Sequence, residues 1–172
     1  MTSSQVDHNL AVLAEAEFRR LGDYESLVFE GKTYRSGELF DRACRASSAL
    51  VKLGVSPGER VVVLMANCPE VGIAYTAIWR AGAVVTPVVF LISPPELQHI
   101  LADSGAVAVV TTPELLATVA TAAAGAPQLR HVIVVGGVPD SLPGDVRGVD
   151  FAELESAPAG TSASSSPRIE TW

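Results

Sequence analysis

Positive charge, aromatic residues, cysteines and long apolar runs are all scarce in this chain, and each scarcity removes a class of function. Twelve lysines and arginines against 19 acidic residues leave a net charge of −7. No basic cluster is present to track a phosphate backbone, which excludes nucleic acid as a partner. The two cysteines, Cys44 and Cys68, stand neither in a C-x-x-C pair nor beside a histidine. They read as apolar thiols of the core. His8, His99 and His131 are scattered, so no metal-ligand spacing exists. The longest apolar stretch, Ala83 to Ile92, is broken by Thr86 and Pro87. It falls well short of the ~20 residues a membrane-spanning helix needs. The N-terminal MTSSQVDHNL has neither the basic nor the apolar region of a secretory signal. These features together predict a cytoplasmic protein with no membrane span. Also missing are G-x-G-x-x-G, G-x-x-x-x-G-K-[ST] and G-x-S-x-G, the signatures of dinucleotide sites, P-loops and nucleophile elbows.

What is present is a globular composition, 48% hydrophobic and 18% charged over 172 residues. That is enough chain for one domain with a core. Apolar residues recur at helical spacing from His8 to Leu21, and Gly22 closes that stripe. Ser26–Glu30 and Lys32–Tyr34 flank Gly31 as a hairpin. Ser36 is placed to cap a second helix, with Glu38 in its first turn and Gly54 as its left-handed stop. RVVVLM then reads as a strand covered on both faces. A helix opened by Asn67 or Cys68, with Pro69 in its first turn, runs to Gly82. AVVTPVVF reads as a second buried strand. Ser93 to Glu96 has capping-box spacing before a helix that ends at Gly105. AVAVVTT, a helix from Pro113 to about Ala124, and HVIVV complete the pattern.

Strands and helices thus alternate from Arg60 onward. The prediction is an α/β fold: a mainly parallel sheet with helices on both faces. An N-terminal α/β subdomain is expected over residues 8–137, and a turn-rich, flexible tail over 138–172.

Open parallel sheets bind ligands beyond the carboxyl ends of their strands. The segments of interest are Ala66–Pro69, Phe90–Pro94, Thr111–Pro113 and Gly136–Pro139. Asn67 is the most suggestive polar residue among them, although a helix cap also explains it. Gly136 and Gly137 read as a turn, and Asp103 and Ser104 as helix-end residues. Tyr75 and Trp79, one helical turn apart, read as packing residues rather than a stacking platform. No general base with an orienting partner emerges, so the residues supply no catalytic set and no metal site.

Several segments in order carry a resemblance: Thr33 to Leu39, LGVSPGERVVVLMANCPE at Leu53–Glu70, AIWRAGAVVTPV at Ala77–Val88, and SPPELQHILADSGA at Ser93–Ala106. Over roughly residues 8–137 the chain resembles the N-terminal part of the adenylate-forming superfamily, and within it the acyl-CoA synthetases. The resemblance implies a ligase that uses ATP and Mg2+ to make an acyl-adenylate, then passes the acyl group to coenzyme A. A carboxylate is a poor electrophile until AMP turns its oxygen into a leaving group, and metal and basic groups offset the phosphate charge. The motifs that do this in the family lie downstream of the matched region. They are a TSGTTGxPKG phosphate loop, a YGxTE segment, a TGD aspartate and a lysine of a mobile C-terminal domain.

Thr161, Ser162, Ser164, Ser165, Pro167 and Arg168 resemble a degenerate copy of the phosphate loop. Ala163, Ser166 and Ile169 stand where that loop has glycines. Glycine there allows positive φ and close approach to phosphate. The segment is therefore expected to be non-functional. At Val89 many relatives carry asparagine, so this strand end is more apolar than the family pattern.

These readings predict a truncated, acyl-CoA synthetase-like chain, inactive alone, whose sheet is incomplete. Two alternatives come from other classes. One is a non-catalytic interaction module that self-associates or pairs with a complementary synthetase segment. The other is an unrelated nucleotide-binding α/β domain.

Overall fold

The computed structural model describes residues 9–137 and 142–159. Its centre is a five-stranded, all-parallel sheet in the order β4-β3-β5-β6-β7. The strands are β3 (Arg60–Leu64), β4 (Val84–Pro87), β5 (Ala108–Thr111), β6 (His131–Val134) and β7 (Arg147–Asp150). β1 (Glu25–Phe29) and β2 (Lys32–Arg35) form a separate antiparallel hairpin. Glu30 and Gly31 both have positive φ at its tip, the backbone of the tight turn that follows strand twist.

Alternation along the strands builds two cores. In β3, Val61 and Val63 point to one face, and Val62 and Leu64 to the other; all are buried. On the first face lie α2 (Ser36–Lys52), α3 (Pro69–Arg80) and α6 (Phe151–Ser156). On the second lie α4 (Pro94–Ser104) and α5 (Leu116–Ala123), the latter entered through a 3₁₀ turn at Pro113–Leu115. The predicted parallel sheet with helices on both faces is the fold observed. Right-handed crossovers require this split. The chain steps from β3 to β4 in one direction, returns past β3 to β5, and continues to β6 and β7, so the connecting helices change face once.

α1 (Leu10–Leu21) starts at Asn9, whose side chain accepts the Ala11 N–H. It is joined to α3 by Arg80, which is buried and reaches Glu15 at 2.9 Å. Hydrogen bonding from Arg80 holds the Glu15 carboxyl below its ordinary pKa against the opposing effect of burial. The Arg80 guanidinium also lies over the Phe40 ring, 5.0 Å from its centroid. A second ionic joint links three helices: Arg42 of α2 reaches Glu70 of α3 and Glu155 of α6, each at 2.7 Å.

Three local expectations are corrected. Ser36 does not cap α2. Arg35 holds the cap position, and the Ser36 hydroxyl accepts the Tyr24 N–H at 3.0 Å. The exposed first turn is satisfied instead by Asp23, whose carboxylate accepts the Gly37 N–H at 2.9 Å. AVVTPVVF is not a buried strand: only Val84–Pro87 is extended, and as the sheet edge it is partly exposed. Its proline is tolerated for that reason. Val84 and Val88 donate to Glu59 and Val63 on the β3 side, so alternation turns Val85 and Pro87 outward, where Pro87 has no ladder bond to lose. The third correction concerns Arg147–Asp150, in a stretch that reads as turn-rich: it is β7, paired with β6, while the one or two helical turns that VDFAELES allows are α6, capped by Asp150, which accepts the Ala152 N–H at 2.9 Å. Val149, Phe151 and Leu154 are buried in the first core.

This places α6 within the folded unit and yields a stability test. Phe151→Ala removes a buried aromatic ring and should cost about 3–5 kcal/mol, read as a lowered midpoint in urea unfolding. A midpoint equal to that of the unaltered chain would mean that β7 and α6 are not part of the cooperative core.

Candidate functional site

The strand order fixes where an open sheet of this kind presents ligand-binding loops. The chain leaves β3 toward β4 and re-enters on its other side at β5. The reversal leaves a crevice at the carboxyl ends of β3 and β5, the general ligand position in doubly wound sheets. Residues Met65–Cys68 and Thr111–Glu114 border it.

These residues are mostly engaged already. The Thr111 hydroxyl is fully buried and donates to the Leu64 carbonyl across the strand pair at 2.9 Å. Thr112 donates to Glu114 at 2.8 Å. Asn67 is exposed and does not cap α3; Cys68 occupies that position without a side-chain cap bond. Asn67 thus faces solvent at this end, as does the exposed Glu114. Burial pushes the Cys68 thiol up, away from the thiolate form that nucleophilic chemistry requires. Cys44 is buried and pushed up for the same reason.

Asn67 and Cys68 also stand at one end of a cleft of about 650 Å3 between α1, the hairpin, α2 and α3. Its walls are apolar, and Phe18 and Phe40 stack within it with centroids 4.9 Å apart. It holds no charged side chain, so it offers nothing to balance a phosphate or polarise a carboxylate.

The remaining sequence candidates are dispersed. Ser104 donates to Ile100 O at 2.6 Å within α4, and Asp103 is exposed beside it. Tyr75 and Trp79 pack edge to face, with centroids 5.8 Å apart on a half-buried face of α3. Gly136 and Gly137 have positive φ, as a turn requires. His99 is exposed on α4, far along the chain from His131. Thr161, Ser162, Ser164, Ser165 and Arg168 lie outside the described residues, as does His8. Among the described residues no group of three or more His, Cys, Asp or Glu side chains is arranged to hold a metal ion, and no helix is long and apolar enough to cross a membrane.

The comparisons give this scaffold its place. The family model for AMP-binding enzymes matches residues 14–164. The chain belongs to that family. A feruloyl-CoA synthase from Amycolatopsis sp is 41% identical over 107 residues, which are 62% of this chain and 22% of that protein. A long-chain-fatty-acid–CoA ligase from Yersinia pestis is 35% identical over 117 residues, 67% of this chain and 20% of its own length. The chain therefore spans about a fifth of these curated relatives. Among solved structures, a benzoate CoA ligase from Burkholderia xenovorans LB400 superimposes with a TM-score of 0.76 at 28% identity, covering 91% of this chain and 30% of that one. An anthranilate CoA ligase in complex with anthranoyl-AMP gives a TM-score of 0.82 at 24% identity, which speaks for the fold alone. Family membership sets aside the alternative of an unrelated nucleotide-binding domain.

One residue missed by sequence reading is His131. In the sequence it shows only a lack of metal-ligand spacing, yet it lies buried on the α2 face of β6. Its Nε2 is 3.0 Å from the Leu53 carbonyl, which makes that nitrogen the donor, and the buried Nδ1 has no partner. Burial foremost lowers its pKa, and Arg130 and Arg147 add to this against the raising effect of the Leu53 bond. The folded chain thus keeps His131 neutral where the unfolded chain protonates it. As pH falls below the ordinary histidine value of about 6.5, only the unfolded state takes up this proton, so stability falls until the lower folded-state pKa is passed. Carboxylates held low, such as Glu15, act below the ordinary value of 4.5. Urea midpoints measured from pH 7.5 to 5 should decline, and His131→Gln should flatten that slope whatever its effect at pH 7.5. An unchanged slope in the variant would show that His131 does not carry it.

Proposed function

We propose that this chain is the N-terminal scaffold of an ATP-dependent acid–CoA ligase and does not form an acyl-adenylate by itself. The observation that carries the reading is the combination of a family match over most of the chain with coverage of only about a fifth of the relatives. The carboxyl ends of β3 and β5 agree with it: their hydroxyls are internally bonded, and neither they nor the adjoining apolar cleft offer a cation for the phosphates. ATP and coenzyme A are the co-substrates of the reaction, with Mg2+ balancing phosphate charge. The acid is drawn from the classes named for the relatives, aromatic or long-chain aliphatic carboxylates.

In this reading the segment Thr161–Arg168 does not serve as a phosphate loop, since Ala163 and Ser166 replace residues whose freedom at positive φ the loop depends on. The chain's own contribution is geometric. The parallel sheet sets the spacing of its carboxyl-end loops, and the two helix layers fix the sheet. A substrate bridging these loops gains orientation from them, while charge stabilisation comes from other parts of the ligase.

ATP–pyrophosphate exchange by the purified chain, with Mg2+ and a panel of ferulate, benzoate and fatty acids, tests this directly. Exchange at the level of the no-enzyme control is expected. Robust acid-dependent exchange would overturn the proposal and place a complete adenylation site in these 172 residues.

A further inference from the structure

The apolar cleft of about 650 Å3 between α1, the hairpin, α2 and α3 takes no part in the chemistry proposed above. Its volume lies within the range of small-molecule pockets, roughly 300–1,000 Å3. Four aromatic side chains, Phe18, Tyr24, Phe29 and Phe40, stand in its walls, and none of them is buried. Apolar surface gathered in a concavity, rather than scattered, is the general form of a ligand site.

Gly72 points the same way. It lies inside α3, where glycine is disfavoured against alanine. Nothing in the backbone calls for it: it does not have positive φ, and a Cβ there would meet no atom within 4 Å. Gly72 lines the cleft, so a side chain would fit and would take up cleft volume. A weaker helix position thus leaves the cleft open.

The lining decides what the cleft can hold. No charged side chain reaches it, so an ion that entered would give up its hydration without a counter-charge. Phe18 and Phe40, stacked with centroids 4.9 Å apart, present ring surface that suits a flat aromatic body. The exposed Ser26 and Asn67 add hydrogen-bonding groups, which suits a ligand with a polar end.

We infer that this cleft is a binding site for an uncharged aromatic molecule with one hydrogen-bonding end. The site is independent of the ligase reading, since a carboxylate awaiting adenylation has the wrong charge for these walls. Of the residues of α1 only Ala11 is buried, and α1 forms one wall, so an occupant also ties α1 to α2 and α3.

The test titrates the purified chain with N-phenyl-1-naphthylamine, an uncharged aromatic probe that brightens in apolar surroundings. Saturation at one probe per chain is expected. Gly72→Leu should weaken binding at least tenfold, with a urea midpoint at or above that of the unaltered chain because leucine replaces a helix glycine. Leu91→Lys, on the exposed apolar strip after β4, should leave binding unchanged. Methyl ferulate should displace the probe, and ferulate, ionised at neutral pH, should need at least a tenfold higher concentration. A further measurement needs no variant. Cys68 lines the cleft and is half-buried, so saturating probe should slow its alkylation by iodoacetamide at least fivefold, read by mass spectrometry. Binding that does not saturate, equal affinity in a folded Gly72→Leu chain, or loss of binding with Leu91→Lys would each overturn the inference. So would displacement by ferulate as readily as by its ester, or a Cys68 rate that the probe does not change.

Discussion

The double-sided burial of β3 is the constraint on which the rest of the fold depends. Val61, Val62, Val63 and Leu64 are buried alternately toward opposite layers, so one four-residue run nucleates both cores. Each fully buried side chain of this kind contributes about 1.5–3 kcal/mol, and a strand with no solvent face has a single stable register relative to its helices. The register continues laterally from Val61 to Ala108 and from Ala108 to His131. α2 and α3 therefore meet one row of side chains, and α4 and α5 meet the next. The reversal of chain direction around β3 then fixes both the helix layers and the crevice at the carboxyl end.

Ionic contacts refine this frame without supporting it. Arg42 is partly buried, and desolvation opposes its charge, but the hydrogen bonds it donates to Glu155 and Glu70 outweigh that and raise its pKa. Its value is geometric: one guanidinium sets the spacing of α2, α3 and α6. Arg80 does the same for α1 through Glu15 and Phe40. α6 has six residues, too few to stand without the tertiary packing that Phe151 and Leu154 supply.

The sequence made the alternation of elements legible because β-branched runs and helical stripes are local signals. The capping box at Ser93 was readable for the same reason: Glu96 lies three residues on, and the Ser93 N–H donates to its carboxylate at 2.9 Å. What escaped was set by distance. Ser36 looks like a cap in isolation, but Asp23 takes that role from 14 residues away. β7 has the sequence Arg-Gly-Val-Asp, with a single apolar residue; its strand character comes from pairing with β6 rather than from its own pattern. AVVTPVVF has the composition of a buried strand, and only the strand order reveals it as an edge. The carboxyl-end crevice was anticipated as a set of loops, yet their ranking depended on strand order, which no local pattern contains. His131 gave no signal, since a lone histidine opening a strand is silent until its packing is known.

The balance of charge and apolar surface then explains the chain's place in a ligase. Adenylate formation concentrates the negative charges of a triphosphate and a carboxylate in one site, which demands cations and oriented N–H donors. This chain is acidic overall, and several of its arginines serve acidic groups of its own: Arg42 is committed to Glu70 and Glu155, Arg80 to Glu15, and Arg130 to Glu59. Its surface just after β4 is apolar instead, at Val89, Phe90 and Leu91. On the proposed ligase reading, charge stabilisation comes from parts of the relatives beyond the matched region, and this chain's share is the fixed spacing of the loops at the ends of β3 and β5.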